Sequence, residues 1–438
     1  MLVYFSQIIR KLRNSRFFKD SFWAVFGNGI GYGLMLLAGI IIARLLGKEL
    51  YGEYGFVKST MFQFAAFSTL GLGYTSTKFV AEYKSKDASQ VKPIINASIK
   101  ITTIASCIIA LLIIFFAKPL ASYLNQPSMS LALQILGFIV IIRALNTTQF
   151  GVLAGFGNFK IIAKINGISG VTLFALSIPL TFFFSLEGSL AALAVSQIIC
   201  VLLNHSAINR FYQTLPLAAN TKYVWKLTRF SLPVAMQELT YALSQWLGVF
   251  IITKCSSFGE VGLYTASTIW TAVIMIIPSF LSDVILSHLS ACTNDTIAQN
   301  RKIKQMLLVN FMCTAVPFIF IFLFSPFIVS LYGTSFNGLS SVLRVISLST
   351  IFMCCSNVFG SELIAQGYTW TLFLFRGARD ILTVIVGFML IRCHQGINAA
   401  QEYSWSIVFF SFLFFLALAI YCRFKITKVH ITRKYVSD

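Results

Sequence analysis

Twelve apolar runs, each close to the roughly twenty residues an α-helix needs to cross a bilayer, fill most of this 438-residue chain. They fall at residues 21–43, 56–77, 94–117, 129–150, 165–184, 188–208, 231–253, 263–287, 305–331, 342–363, 369–391 and 403–421. With 57% hydrophobic and 11% charged residues, a water-soluble fold would have to bury nearly all of itself. Hydrocarbon is therefore the solvent, and it demands that every backbone polar group be satisfied within its own segment. Helices meet that demand, whereas 9 Pro and 27 Gly are few for the dense turns of a barrel. The expected class is an all-α polytopic membrane protein.

The formal net charge of +20 would in a soluble protein point to nucleic acid. Its placement points elsewhere, and no nucleic-acid partner is expected. Of the 34 basic residues, 22 fall on the face that holds the N-terminus, among them Arg10, Lys86, Lys160, Arg229 and Lys302. Only Lys48, Lys118, Lys254 and Arg392 fall on the other. Translocated loops are poor in Lys and Arg, so both termini are expected in the cytoplasm. Residues 1–20 form a basic segment that is expected to be retained, because the apolar run after it is too long for a signal peptide and lacks a cleavage motif. Within it Tyr4, Phe5, Ile8, Ile9 and Leu12 suit a helix lying along the inner membrane surface.

The chain repeats at an offset of 210 residues. Lys19, Ser21, Ile41, Ile42, Arg44, Gly52 and Tyr54 stand opposite Arg229, Ser231, Ile251, Ile252, Lys254, Gly262 and Tyr264. Each copy reads as a basic residue, a span, then a short outer loop ending in Gly-x-Tyr. Six spans per half with the same starting side imply parallel, pseudo-symmetric lobes related by an axis along the membrane normal. The expected division is a lobe at 21–208, a cytoplasmic linker at 209–229, a lobe at 230–422 and a basic cytoplasmic tail at 423–438.

Eight basic residues remain at or within spans: Arg44, Lys58, Lys78, Lys100, Arg143, Arg344, Arg376 and Arg379. An ionised group at mid-span costs about 2.5 to 3.5 kcal/mol on insertion scales. Arg44, Lys78 and Arg344 lie near span ends, where they either snorkel to headgroups or face a wet cavity. The other five lie deeper. Arg143 shares a three-and-four spacing with Asn146, Thr147 and Phe150, which makes one polar stripe. Arg376 and Arg379 stand beside Asp380, so either forms an ion pair there or meets cargo.

The spans hold only four acids, Glu238, Asp283, Glu362 and Asp380. An anionic cargo is the simplest reason for eight cations against four acids, since the cargo supplies the missing countercharge. In the seventh span Gln237, Glu238, Tyr241, Ser244 and Gln245 recur at helical spacing and mark a hydrophilic path. Glu238 matches Asn28 at the repeat offset, where Gly27, Gly29, Gly31 and Gly33 form overlapping GxxxG patterns suited to close helix packing. Asp283, near Thr271, Ser279 and Ser282, either carries a coupling ion or pairs with a cytoplasmic-side base. Asn28, Glu238, Tyr241, Gln245, Asp283 and Asp380 are thus the candidates for H⁺ or Na⁺ coupling or for lining the path.

Nine cysteines lie mostly within apolar runs, without CxxC or Cys/His spacing, so no metal is expected. Cys255 and Cys393 both face outward in this reading, which leaves a disulfide open. The four histidines lie at span ends or in loops, and Gly-x-Ser-x-Gly and P-loop patterns are absent. No covalent chemistry is indicated, and no enzyme is expected.

The run Ile42-Ala-Arg-Leu-Leu-Gly-Lys-Glu-Leu-Tyr-Gly-Glu-Tyr54 resembles the polysaccharide-export flippases of the MOP superfamily. So do Leu70-Gly-Leu-Gly-Tyr74, Phe79-Val-Ala-Glu-Tyr83, Leu153-Ala-Gly-Phe-Gly-Asn-Phe159, Glu260-Val-Gly-Leu-Tyr264 and Ala365-Gln-Gly367. The resemblance implies twelve transmembrane helices in two six-helix lobes around a central cationic cavity, working by alternating access in the bacterial cytoplasmic membrane. It implies as cargo an undecaprenyl-pyrophosphate-linked oligosaccharide, such as the O-antigen repeat unit of lipopolysaccharide. Polysaccharide polymerase and chain-length regulator proteins are the implied partners, beside membrane lipids, and no cofactor is implied. Of the candidate cargo-binding cations Arg44, Lys58, Lys100, Arg143, Arg376 and Arg379, only Arg44 lies in a family motif. Two other readings stand against this one: a cation-coupled multidrug exporter on the same scaffold and, ranked below it because the outer loops are short, a membrane polysaccharide polymerase or ligase.

Overall fold

The structure, a computed structural model, describes residues 16–127, 129–216, 224–290, 296–366 and 368–434. Side chains are described at all of these except 16–28, 30, 32, 224–226, 228–230, 233, 234, 280–290, 296–302, 365 and 424–434. The amphipathic stretch around Phe5 and Ile8 lies outside the described residues, as do part of the 209–229 linker and the end of the basic tail.

Among the described residues every regular element is helical. In chain order they are α1 Arg16–Thr69, α2 Leu72–Lys86, α3 Val91–Tyr123, α4 Met129–Gly155, α5 Phe159–Thr214, α6 Val224–Cys255, α7 Phe258–Ser290, α8 Thr296–Tyr332, α9 Leu339–Ala365, α10 Thr369–Cys393 and α11 Ala399–Lys434. Short 3₁₀ turns at Ala88–Gln90 and Thr334–Phe336 precede α3 and α9. Among the described residues, seven helices are long and apolar enough to cross a membrane. The chain is a polytopic, all-helical membrane protein.

Two elements are divided internally. Gly47, at φ 71°, ends the first part of α1. Ser185, at φ 51°, divides the 56-residue α5, whose length of about 84 Å at 1.5 Å per residue far exceeds a single crossing of about 30 Å. A Cβ on Gly188 would meet the Leu180 carbonyl and the Phe184 side chain, so the chain doubles back at this point. The second apolar run is not the continuous helix that its hydropathy predicts. Leu70 and Gly71, at φ 48° and 72°, break it between α1 and α2. Apolarity follows burial and says nothing of one left-handed pair.

Contacts divide the chain into two compact units, residues 1–46 with 56–243, and residues 47–55 with 244–438. Within the first, α4 packs on α2, α3 and α5. At the α2–α4 contact a Cβ on Gly151 would meet the Gly73 carbonyl, and Thr77 Oγ1 donates to Gly151 O at 2.9 Å and Gly73 O at 3.0 Å. Of Gly29, Gly31 and Gly33 on α1, Gly31 is the one in tight contact: a Cβ there would lie 2.9 Å from the Asn166 carbonyl of α5, whereas Gly29 and Gly33 have nothing within 4 Å.

At the end of α4, Gly157 takes φ 76° and Phe156 stacks on Phe211 at 4.9 Å. Lys84 Nζ donates to Phe156 O at 3.0 Å, satisfying a carbonyl that the helix end leaves open. Lys84→Met should therefore lower stability by about 1 kcal/mol, read as a reduced melting temperature in detergent. An unchanged melting temperature would show the contact to be idle. Nearby, Asp87 accepts from Ser89 Oγ at 2.6 Å, Ser89 N at 3.1 Å and Gln90 Nε2 at 3.2 Å. The Ser89 hydroxyl and then the Gln90 amide hold its carboxyl below the usual carboxylate range.

In the second unit α9 is central, packing on α7, α8, α10 and α11. Residues 47–55 of α1 lie along α7. There a Cβ on Gly52 would meet the Phe258 carbonyl, one on Gly262 the Lys48 carbonyl, and one on Gly55 the Thr265 side chain. The two repeated Gly-x-Tyr motifs thus meet backbone to backbone. Tyr51 stacks on Tyr54 at 5.8 Å and meets Phe336 edge-on at 5.9 Å. Trp270 Nε1 donates to the Tyr332 hydroxyl at 3.0 Å. Cys255 and Cys393 are free thiols, so the disulfide left open by the sequence is not formed. His394 Nδ1 lies 3.0 Å from Glu402 Oε1.

Candidate functional site

Arg143 stands at the middle of α4, a mostly apolar helix that also carries Asn146, Thr147, Thr148 and Gln149, so its guanidinium has to be satisfied by neighbouring helices. Its Nη1 donates to Gln197 Oε1 at 3.3 Å, and the guanidinium lies 4.5 Å from the Phe62 ring centroid. Gln197, on the second part of α5, also accepts Asn146 Nδ2 at 3.0 Å through Oε1 and at 3.2 Å through its backbone carbonyl. Asn204 Nδ2 donates to Asn146 Oδ1 at 2.9 Å. Thr102 and Thr148 share a hydroxyl hydrogen bond of 2.8 Å. A cation is therefore presented at the rim of a neutral amide network that binds α4 to α5.

Along the expected stripe of Arg143, Asn146, Thr147 and Phe150 burial is uneven. Asn146 is fully buried, while Arg143, Thr147 and Phe150 are half-buried. Two donors and an acceptor in one amide are worth more when spent across the helix interface than when left to water. Gln197, Asn204 and Phe62 escaped the sequence reading. A mid-span Gln and Asn on the sixth run were the available signal for the first two.

The second unit holds a partly open cleft of about 30 Å³ built from α6, α9, α10 and α11, lined by Ser244, Gln245, Met353, Arg379, Asp380, Thr383, Tyr403, Ile407 and Ser411. Arg379 Nη2 and Nε donate to Asp380 Oδ1 at 2.6 and 2.8 Å. The guanidinium lies 4.9 Å from the Phe414 centroid. Thr383 Oγ1 donates back to the Arg379 carbonyl at 2.8 Å. Of the two settings open to Arg379, the structure shows the ion pair, so its charge is already met. Arg376 stands one turn earlier, its Nη2 3.4 Å from where a Cβ on Gly360 would lie. Thr383, Tyr403, Ser411 and Phe414 were not singled out from sequence, because single hydroxyls and rings in apolar runs look like ordinary core.

The remaining candidates scatter. Arg44 is exposed just before Gly47, and Lys58 is half-buried on α1. Lys100 is exposed on the stripe of α3 that carries Ile104, Leu111 and Phe115, themselves 53%, 68% and 75% exposed. Such a stripe suits hydrocarbon, and Lys100 stands at its N-terminal end. Arg344 is satisfied within its unit, its Nε donating to Ser325 Oγ at 2.7 Å beside the Phe322 ring. On α6, Glu238 and Gln245 are half-buried, Tyr241 is 45% exposed and Ser244 is buried, so the stripe read from sequence turns partly inward. Glu362 is buried and accepts from Gln366 Nε2 at 3.1 Å. The backbones of Asn28 and Asp283 lie in α1 and α7, while their side chains lie outside the described residues. Among the described residues no group of three His, Cys, Asp or Glu could hold a metal ion.

Residues 17–290 match the family described as polysaccharide biosynthesis protein. The chain belongs to that family. It is 24% identical over 406 residues to the succinoglycan biosynthesis transport protein ExoT of Rhizobium meliloti, covering 88% of this chain and 78% of that protein. Among solved structures, an inward-facing multidrug resistance MATE family transporter of the MOP superfamily matches with a TM-score of 0.80 at 15% identity, covering 91% of this chain and 95% of its own. The lipid II flippase MurJ in an inward closed conformation matches with a TM-score of 0.72 at 15% identity, covering 94% and 92%. The fold is that of the MOP superfamily, and the likeness read from the 42–54 run and its companion motifs to polysaccharide-export members is established.

Proposed function

We propose that this protein is a flippase that carries an undecaprenyl-pyrophosphate-linked oligosaccharide, an O-antigen repeat unit or a similar glycan, across the bacterial cytoplasmic membrane. Twelve crossings in two six-helix lobes, with both termini in the cytoplasm, serve alternating access in this reading. The observation that carries it is the surplus of cations in the spans, eight against four acids, in a chain of the polysaccharide biosynthesis family. Arg143 and Lys58, both in the first unit, are the residues proposed to meet the pyrophosphate, with Arg44 toward the outer side. Arginine suits this task because its planar fork binds phosphate oxygens in pairs. Transport follows if cargo binds the inward- and outward-open states with different affinity, and H⁺ or Na⁺ movement through Glu238, Asp283 or Asp380 would supply the coupling.

The test is reconstitution of the purified chain into liposomes with a fluorescent isoprenyl-pyrophosphate oligosaccharide. Wild-type protein should speed transfer of the glycan between leaflets, read by protection from a membrane-impermeant glycosidase. Transfer no faster than in protein-free liposomes would overturn the proposal. Uptake of a cationic dye instead would establish the multidrug reading, and growth of the glycan in mass the polymerase reading.

A further inference from the structure

We infer that the cleft beside Arg379 and Asp380 is a subsite for the hydroxyl edge of a neutral sugar ring, not for the pyrophosphate; this rests on the flippase reading. Three observations carry it. The first is charge: the cleft is lined by one cation and one anion, bound to each other at 2.6 and 2.8 Å through a single carboxylate oxygen. A phosphate entering here would have to compete with a carboxylate for the same guanidinium and would sit against like charge.

The second is the inventory of hydrogen-bonding groups. Two of the five guanidinium N–H groups are spent on Asp380 Oδ1, which leaves three donors. Beside them stand Gln245, which offers both donor and acceptor, and the Ser244, Thr383 and Ser411 hydroxyls. Each sugar hydroxyl both donates and accepts, so it needs mixed partners of this kind, while a phosphate needs donors alone.

The third is local geometry. Adjacent helical residues do not face each other, so Arg379 meets Asp380 only by folding sideways, with its guanidinium against the Phe414 ring at 4.9 Å. That posture lays the fork along the cleft as a fixed donor edge. The cleft is partly open and its roughly 30 Å³ hold about two water-sized groups, so it admits hydroxyls on the edge of a ring and not the whole ring.

The experiment uses full-length protein in detergent and two sets of probes, undecaprenyl pyrophosphate alone and the same lipid bearing one neutral hexose or 6-deoxyhexose from a small panel. Wild type should bind at least one glycosylated lipid about tenfold more tightly than the bare one, a difference of about 1.4 kcal/mol. Thr383→Val and Ser411→Ala should erase that ratio and leave affinity for the bare lipid unchanged. Ser411→Ala keeps the test alive should Thr383→Val fail to fold. Equal binding of bare and glycosylated lipids by wild type would overturn the subsite, as would variants that weaken both alike. Failure of wild type to bind even the bare lipid would instead count against the flippase reading itself.

Discussion

Gly52→Val is expected to yield no monodisperse protein in detergent. On the second unit's face of α1, a Cβ at Gly52 would fall onto the Phe258 carbonyl, while the facing Gly262 is equally closed by Lys48 and by the Gly52 amide. Each partner is helical backbone, which cannot swing aside as a long side chain can. Over-packing of a mobile core costs about 1 to 3 kcal/mol. Here the helices themselves would have to part, also pulling Tyr51 and Tyr54 from their aromatic contacts, so the cost exceeds that range. Gly33→Ala is the matched control, since a Cβ there meets nothing within 4 Å. It should keep or raise the melting temperature, because alanine favours the helix by about 1 kcal/mol over glycine. A Gly52→Val protein that elutes and melts like wild type would show that the crossing is not tight.

That crossing marks how far the sequence could be read. The apolar runs exposed the helical class directly, because hydrocarbon imposes the same demand on every span. The Gly-x-Tyr copies were visible as a repeat, but repetition names a motif without saying what it touches. Their mutual contact is a three-dimensional fact. The glycines on α1 give the same lesson: four stood in overlapping GxxxG patterns, and of those with described surroundings Gly31 alone meets a carbonyl. Breaks at Leu70, Gly71 and Ser185 rest on single backbone torsions that hydropathy averages away.

Charged residues were easier to find than to place. Their scarcity in the spans picked out Arg143, Arg379 and Asp380, yet spacing could not say whether Arg379 was a ligand for cargo or a partner for its neighbour. Neutral polar residues were harder still. Gln197 stood out only as a mid-span amide and Ser411 looks unexceptional in sequence, and only the structure shows the first holding an arginine and the second lining a cleft.

Arg143→Ala should reduce transfer of the lipid-linked glycan at least about tenfold, which corresponds to about 1.4 kcal/mol of lost interaction, with protein amount and melting temperature near wild type. The fold is expected to tolerate the change because Asn146 keeps its own bonds to Gln197 and Asn204 when the guanidinium is removed. Arg143→Lys should recover only part of the activity. An ammonium restores the charge, but it lacks the flat face that lies 4.5 Å from the Phe62 centroid and the planar fork of parallel N–H donors that grips paired phosphate oxygens. Gln197→Ala should fall between the two, leaving the charge in place while freeing its orientation and taking an acceptor from Asn146. Full transfer by Arg143→Ala at normal protein levels would assign this arginine to helix packing and remove the best-placed cation from the proposed pyrophosphate site.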